Sequence, residues 1–169
     1  MNWTELLEGE IEGAYRATDG LMALCEGLPL SWKPATGANW MTTGQVLHHL
    51  TNAGGTCIKG FVTGEWPMPK DAKPEDMMPS AEKLPSAAGV AEARQMLAAD
   101  KALALAMVRE AGEADLGGKL TAAPWDPTPR PLGKQCLLMV QHLTSHKCQL
   151  FYYLKLQGKP VHTGSLWGM

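Results

Sequence analysis

The stretch Gln141-His142-Leu143-Thr144-Ser145-His146-Lys147-Cys148-Gln149 lies in the middle of the longest run of the chain that lacks glycine and proline. Such a run predicts one long helix, which we expect from about Leu132 to Gln157, before Gly158 and Pro160 end it. His142 and His146 are four residues apart, so their rings lie on the same face of that helix. Two such rings can reach one metal ion, or they can be ordinary histidines at the edge of a helix interface.

Two other segments show the same helical periodicity. Apolar residues recur at steps of three and four from Asn2 to about Gly27, which predicts an amphipathic helix. A segment rich in Ala, Leu and Met runs from about Ser86 to Ala111, where Gly112 follows and is expected to end the helix.

A further helix is predicted to begin after Thr42. Thr42 and Gln45 have the spacing of a capping box, in which each side chain bonds the other residue's backbone. The apolar stripe that follows continues to about Gly64. Gly54-Gly55 in its middle weakens a helix but also allows close packing of a neighbouring helix.

Two proline-rich connectors separate these helices. Residues 65–85 contain five prolines and residues 117–131 contain four, so neither can be regular helix. With no run of alternating apolar and polar residues of consequence, the pattern predicts an all-α four-helix bundle. At 169 residues, 45% of them apolar, the chain suffices for one core, and we expect a single domain over residues 1–169.

Composition excludes several classes of partner. A net charge of -2, from 15 basic and 17 acidic side chains, gives no reason to expect binding to nucleic acid or to an anionic membrane. No signal peptide or membrane-spanning run is apparent, so we expect a cytoplasmic protein. The four cysteines have no CxxC spacing and are predicted to be free: Cys25, Cys57, Cys136 and Cys148.

The second predicted helix offers a third histidine. His49 borders its apolar stripe, whereas His48 falls on the polar side, so His49 can meet His142 and His146 at a shared helix interface. Three neutral imidazoles with a fourth position left to water are typical of a catalytic zinc site. Nickel or iron could also bind to these ligands. The alternative is three ordinary histidines and no metal.

One residue argues against a zinc protease of the His-Glu-x-x-His type. Leu143 stands where that motif requires the glutamate that activates water. The pair His142 and His146 therefore needs another interpretation.

Two segments resemble the DinB-like (DinB/YfiT) family, whose relatives include bacillithiol transferases. Residues 40–50, Trp-Met-Thr-Thr-Gly-Gln-Val-Leu-His-His-Leu, are similar to its W-x6-L-x-H-L segment, and residues 142–158 resemble its H-x3-H-x2-Q-[LI]-x3-L-x3-G signature. The resemblance implies an up-down-down-up bundle, a divalent ion on His49, His142 and His146, and a homodimer. Where family members often have Arg-Gly after the last histidine, this chain has Lys147-Cys148.

These features lead to three hypotheses about function. The first is a metal-dependent enzyme, a thiol S-transferase or a hydrolase, that activates a low-molecular-weight thiol or water toward a small-molecule substrate. Neither histidine-bearing helix contains an acidic residue, so the candidates for a base are Gln149, Tyr153, Glu65 and Asp126. The second is a non-catalytic bundle that binds a metal or a small ligand. The third is dimerisation or partner binding through the proline-rich connectors and the methionines Met77, Met78, Met96, Met107 and Met139.

Overall fold

The computed structural model describes residues 2–67 and 79–169. Within these ranges the chain forms five α-helices and one two-stranded antiparallel sheet, which confirms the all-α class. In chain order the elements are α1 (Trp3–Ala23), α2 (Thr43–Leu50), α3 (Gly55–Thr63), α4 (Val90–Gly118), β1 (Leu120–Ala123), β2 (Asp126–Pro131) and α5 (Leu132–Leu156). Short 3-10 helices at Ala81–Lys83 and Thr163–Trp167 complete the described chain.

Capping boxes start α1 and α2. Thr42 caps α2 with Gln45, as their spacing predicts, and Asn2 caps α1 with Glu5 in the same way. Each box satisfies backbone amides that the first turn of a helix leaves without partners. Gln45 also donates hydrogen bonds to the carbonyls of Ala81 and Leu84, so the start of α2 is tied to the chain just before α4.

The second predicted helix is not continuous, and that prediction was wrong. The chain leaves helical geometry over residues 51–54, which divides the segment into α2 and α3. A side chain at Gly54 would overlap the hydroxyl of Tyr15, and one at Gly55 would overlap the backbone carbonyl of Asp100. The two glycines therefore allow α1 and α4 to approach the break closely.

Ion pairs show that α1 and α4 run in opposite directions. Positions early in α1 meet positions late in α4, in the pairs Glu8–Arg109, Glu12–Lys101 and Asp19–Arg94. In contrast α1 and α5 are parallel, because Trp3 lies against Gly133 near the start of both helices while Gly13 and Lys147 line one cleft further along.

The remaining contacts complete the topology. The α2–α3 pair runs antiparallel to α5, since Thr43 contacts Gln157 and His49 contacts His142. It runs parallel to α4, since the amide of Gly55 bonds Asp100 and the carbonyl of Val62 bonds Lys119. This is the predicted up-down-down-up order. Two consecutive parallel helices need a connection as long as the bundle, which accounts for the connector before α4.

Much of that connector lies outside the described residues, as do Met77 and Met78. Its described part includes Trp66, whose ring covers Gly60 and packs edge-on against Phe61 and Trp125, with centroids 4.9 Å and 5.2 Å away. Trp66 therefore anchors the beginning of the connector to α3 and to the hairpin.

The other connector was predicted to be a proline-rich connector without a strand, and the structure corrects this. β1 and β2 form a hairpin with Pro124 and Trp125 at its turn. Three of its prolines lie in β2, the exposed partner of a two-stranded ribbon, where a missing amide costs little. Gly112, with φ 68°, interrupts α4 where the sequence predicted its end, and the helix resumes to Gly118.

The core lies between α1, the α2–α3 pair, α4 and α5. It contains fully buried side chains from each of them, including Leu7, Ile11, Leu21, Leu47, Leu50, Ile58, Leu97, Leu116, Leu132 and Leu154. All four cysteines are free, as predicted, and Cys25 and Cys136 are buried among these residues. None of the described helices is both long and apolar enough to span a bilayer.

Candidate metal centre

Three histidines from two antiparallel helices converge at one edge of the core. His49 lies in the last turn of α2, and His142 and His146 lie one turn apart in the middle of α5. Their ligand atoms all lie within 4.8 Å of one another, an arrangement that could hold a metal ion. His48 is not part of this group, in agreement with its predicted position on the polar side of the helix.

The distances between ring nitrogens suit a shared ion. His142 Nε2 lies 3.2 Å from His49 Nε2 and 3.1 Å from His146 Nε2. Two nitrogens bound tetrahedrally to zinc at about 2.0–2.1 Å are roughly 3.3 Å apart. All three residues are half-buried, so the cluster is partly accessible to solvent.

The opposite nitrogens of two rings are held by acceptors. His142 Nδ1 lies 3.2 Å from the carbonyl oxygen of Ala53, and His146 Nδ1 lies 3.0 Å from Gln149 Oε1. An oxygen of this kind can only accept, so each Nδ1 carries the proton and each Nε2 of a neutral ring has a free lone pair. Two lone pairs then face each other across 3.1 Å, an arrangement that a cation between them would stabilise.

The amide of Gln149 is itself fixed. Its Nε2 donates to the hydroxyl of Tyr153 at 3.1 Å, and that hydroxyl donates to the carbonyl of Met41 at 2.8 Å. These hydrogen bonds orient the ring of His146 from behind, so Gln149 positions a candidate ligand. Tyr153 is buried, and burial raises the pKa of its hydroxyl.

Aromatic rings close the space around Tyr153. Trp32 and Trp40 both meet its ring edge-on, at 5.2 Å and 6.4 Å between centroids. Trp40 also donates from Nε1 to the carbonyl of Thr36, so these tryptophans anchor the connector between α1 and α2 against the histidine-bearing end of the fold.

Burial keeps His49 and His142 neutral at neutral pH. Desolvation, followed by repulsion from His146 and His142, lowers the pKa of His49 to about 3. Desolvation and the nearby His146 also lower the pKa of His142, against the opposing effect of the hydrogen bond to Ala53. Since only neutral imidazole binds a metal, both rings are ready to act as ligands at neutral pH without losing a proton.

The metal-free protein should lose stability as the pH falls from 7 toward 4. The pKa of His49 is near 6.5 in the unfolded chain and about 3 in the folded one, so in this range only the unfolded chain binds the proton. The contribution of His49 to the free energy of unfolding then decreases by up to about 1.4 kcal/mol per pH unit. Thermal unfolding in chelator measures this dependence, and His49→Gln should flatten it; identical slopes for the two proteins would contradict the assignment.

The acidic and cysteine candidates lie elsewhere. In the described part of the chain no aspartate, glutamate or cysteine joins the histidine group, and this includes Cys148. Asp126 bonds Thr128 and pairs with Arg130 at 2.8 Å within the hairpin, and these contacts lower the pKa of its carboxyl to about 2. Glu65 is exposed just beyond α3. Asp126, whose carboxyl has so low a pKa, is a poor general base.

Two contacts near the centre were not predicted. The carbonyl of Ala53 orients His142, and its only sequence signal is the Gly54-Gly55 pair that follows it. Lys147, next to His146, is buried and donates to the carbonyl of Leu166 at 2.7 Å, which attaches the C-terminal segment to α5. Lys147 therefore points away from the centre that its neighbour helps to form.

Comparison with known families gives one match. The family model described as the DinB superfamily matches residues 10–150, a span that includes α2 and the part of α5 that carries His142 and His146. Searches of curated proteins and of solved structures found no match to this chain.

Proposed function

The chain belongs to the DinB superfamily, and we propose that it is a metal-dependent enzyme that binds a divalent ion through His49, His142 and His146. The observation that carries this proposal is the pair of short Nε2 contacts to His142, at 3.2 Å and 3.1 Å, combined with Nδ1 atoms held by Ala53 and Gln149. His142 and His146 each carry the proton on Nδ1, so as neutral rings they cannot bond one another through Nε2, and their 3.1 Å contact favours a shared ion.

The donor set favours some metals over others. Three imidazoles without a carboxylate suit zinc or nickel, with iron a further candidate. Neutral ligands leave the full charge of the ion uncompensated, and the half-buried residues leave it partly accessible to solvent. When bound, such an ion supplies a Lewis acid that lowers the pKa of a coordinated thiol or water.

Of the two nucleophiles, the residues at the site favour a thiol. No carboxylate of the described chain stands beside the histidines, and Gln149 and Tyr153 direct their polar atoms behind His146. Among the described residues, deprotonation of water therefore lacks a protein base. A free thiol has a pKa near 8.5 and loses its proton with far less assistance than water does. We therefore favour transfer of a low-molecular-weight thiol to a small electrophilic substrate over hydrolysis.

In this proposal the chain itself provides positioning. Ala53 and Gln149 hold the rings of His142 and His146 in the tautomer that binds metal. The thiol sulfur forms the new bond to the electrophile, the leaving group departs with the bonding electrons, and the thiol proton passes to solvent. The homodimer implied by the family resemblance stays a prediction.

One observation favours a second candidate, a bundle that binds metal without catalysis. The polar groups around the histidines are bonded to one another, and no described residue is placed to move a proton at the accessible part of the cluster. In that case the metal would couple α2 to α5 and stabilise the fold.

Metal removal separates the two candidates. We expect protein purified without an affinity tag to contain about one equivalent of zinc or nickel per chain by elemental analysis. Transfer of cysteine or glutathione to a chromogenic alkylating agent should stop on chelation and return when metal is added. A melting temperature that falls on chelation, with no turnover of thiols or aryl esters, would support the non-catalytic bundle. Protein without bound metal, and unable to bind added Zn²⁺, would reject both.

A further inference from the structure

A buried tyrosine and a buried aspartate meet at the break between α2 and α3. Asp100, on α4, is 5% exposed, and Tyr15, on α1, is 2% exposed. The hydroxyl of Tyr15 donates to Asp100 Oδ2 at 2.6 Å. The same carboxylate accepts the amides of Gly55 and Thr56, both at 2.8 Å, and the hydroxyl of Thr56 at 2.9 Å. Four donors to one carboxylate offset the large cost of burying its charge.

These contacts form the N-terminal cap of α3. The N-cap residue is Gly54, which has no side chain to accept a hydrogen bond, so Asp100 takes over that function from a different helix. The negative charge also lies at the positive end of the α3 dipole. Burial and the charge of Asp100 raise the pKa of Tyr15, which therefore keeps its proton and acts as the donor.

Capping α3 here has a consequence for the metal centre. In a continuous helix the carbonyl of Ala53 would accept the amide four residues later. Because α2 ends at Leu50 and α3 begins at Gly55, that carbonyl instead faces α5 and accepts from His142 Nδ1 at 3.2 Å. Ala53 is two residues before Gly55, whose amide donates to Asp100. A shift of this cap would therefore move the carbonyl of Ala53, which is the acceptor of His142.

The fit around the cap is close. A methyl group at Gly54 would overlap the hydroxyl of Tyr15, and one at Gly55 would overlap the backbone carbonyl of Asp100. Backbone and side-chain contacts thus both fix the break at one register relative to α1 and α4.

We infer that Asp100 and Tyr15 are positioning residues for the metal centre, which act on His142 through the backbone of residues 53–55. This inference rests on the proposed function, since it assigns a role toward the proposed metal. It predicts that the orientation and tautomer of His142 depend on a carboxylate in a different helix that does not contact the ring.

Two variants of the full chain test this inference. Asp100→Asn replaces one carboxylate oxygen, which accepts two of the four hydrogen bonds, by an NH2 donor, and Tyr15→Phe removes one hydroxyl while keeping the ring in the core. Nitrogen NMR of the metal-free protein measures which ring nitrogen of His142 carries the proton. Titration with Co²⁺ measures the affinity of the protein for that ion. We expect Asp100→Asn to mix the tautomers and weaken Co²⁺ binding about 10-fold or more, the effect usual for partners of metal ligands. Tyr15→Phe should change both readouts in the same direction by less.

Val108→Ala is the matched control, because Val108 is fully buried two turns further along α4. It should lower stability without changing the tautomer or the Co²⁺ affinity. Unchanged readouts in both Asp100→Asn and Tyr15→Phe, or an equal loss of affinity in Val108→Ala, would overturn the inference. If Asp100→Asn does not fold, Tyr15→Phe decides with the same two readouts. If the wild type binds no Co²⁺, the proposed function fails, while the tautomer measurement still decides whether the cap positions His142.

Discussion

Replacing His142 with alanine is expected to abolish metal binding. His142 is the central ring of the cluster, since its Nε2 contacts both His49 and His146. Loss of a partner that only orients a ligand costs about 10–100-fold in affinity, so loss of this ligand should exceed about 100-fold. Elemental analysis of protein purified without an affinity tag, followed by calorimetric titration with Zn²⁺, measures the change.

His48→Ala is the control for this experiment. His48 is adjacent to His49 in α2 and similarly half-buried, but it does not belong to the group. It should retain the wild-type metal content. A His142→Ala protein that carries metal at the wild-type stoichiometry would show that the ion binds somewhere else.

Gly55→Ala is expected to destabilise the protein by at least about 3 kcal/mol, the upper end of the usual cost of overpacking. The added methyl group would overlap the backbone carbonyl of Asp100 and lie against the backbone of Ala104. Backbone atoms within a helix cannot rotate away as a side chain can, so α3 and α4 must separate or the cap must break. Urea unfolding of the metal-free protein measures the loss as a lower midpoint.

Gly20→Ala is the comparison, and it is expected to raise the free energy of unfolding rather than lower it. Gly20 lies within α1, and a methyl group there would meet nothing within 4 Å. Alanine in place of glycine inside a helix stabilises it by about 0.5–1 kcal/mol. If Gly55→Ala and Gly20→Ala shift the urea midpoint in the same direction, the close approach of α3 and α4 at Gly55 is not the controlling contact.

Local patterns in the sequence predicted much of the fold. The start of α2 follows from neighbouring residues alone, through the capping box of Thr42 and Gln45, whereas α4 continues to Gly118, beyond the end that Gly112 predicted. The same local reasoning selected His49 over His48, because the apolar stripe of a helix indicates which side faces its neighbours. The hairpin was missed because its prolines, which normally argue against strands, lie in a two-stranded ribbon with free edges.

The break between α2 and α3 could not be predicted in the same way. Gly54-Gly55 is compatible with a weakened helix or with an interrupted one, and the difference in free energy comes from Tyr15 and Asp100, which lie 40 and 45 residues from Gly55 in the chain. A buried carboxylate from α4 supplies hydrogen bonds that a continuous helix would not need.

By itself, the sequence determined the helical class, the three candidate ligands and the family, because helix periodicity and the spacing of histidines depend only on residues a few positions apart. The tertiary structure alone decided where α2 ends, which carbonyl holds His142, and that no described carboxylate stands beside the histidines. These features arise where side chains from different helices meet, and their distances are set by the packing of the whole bundle.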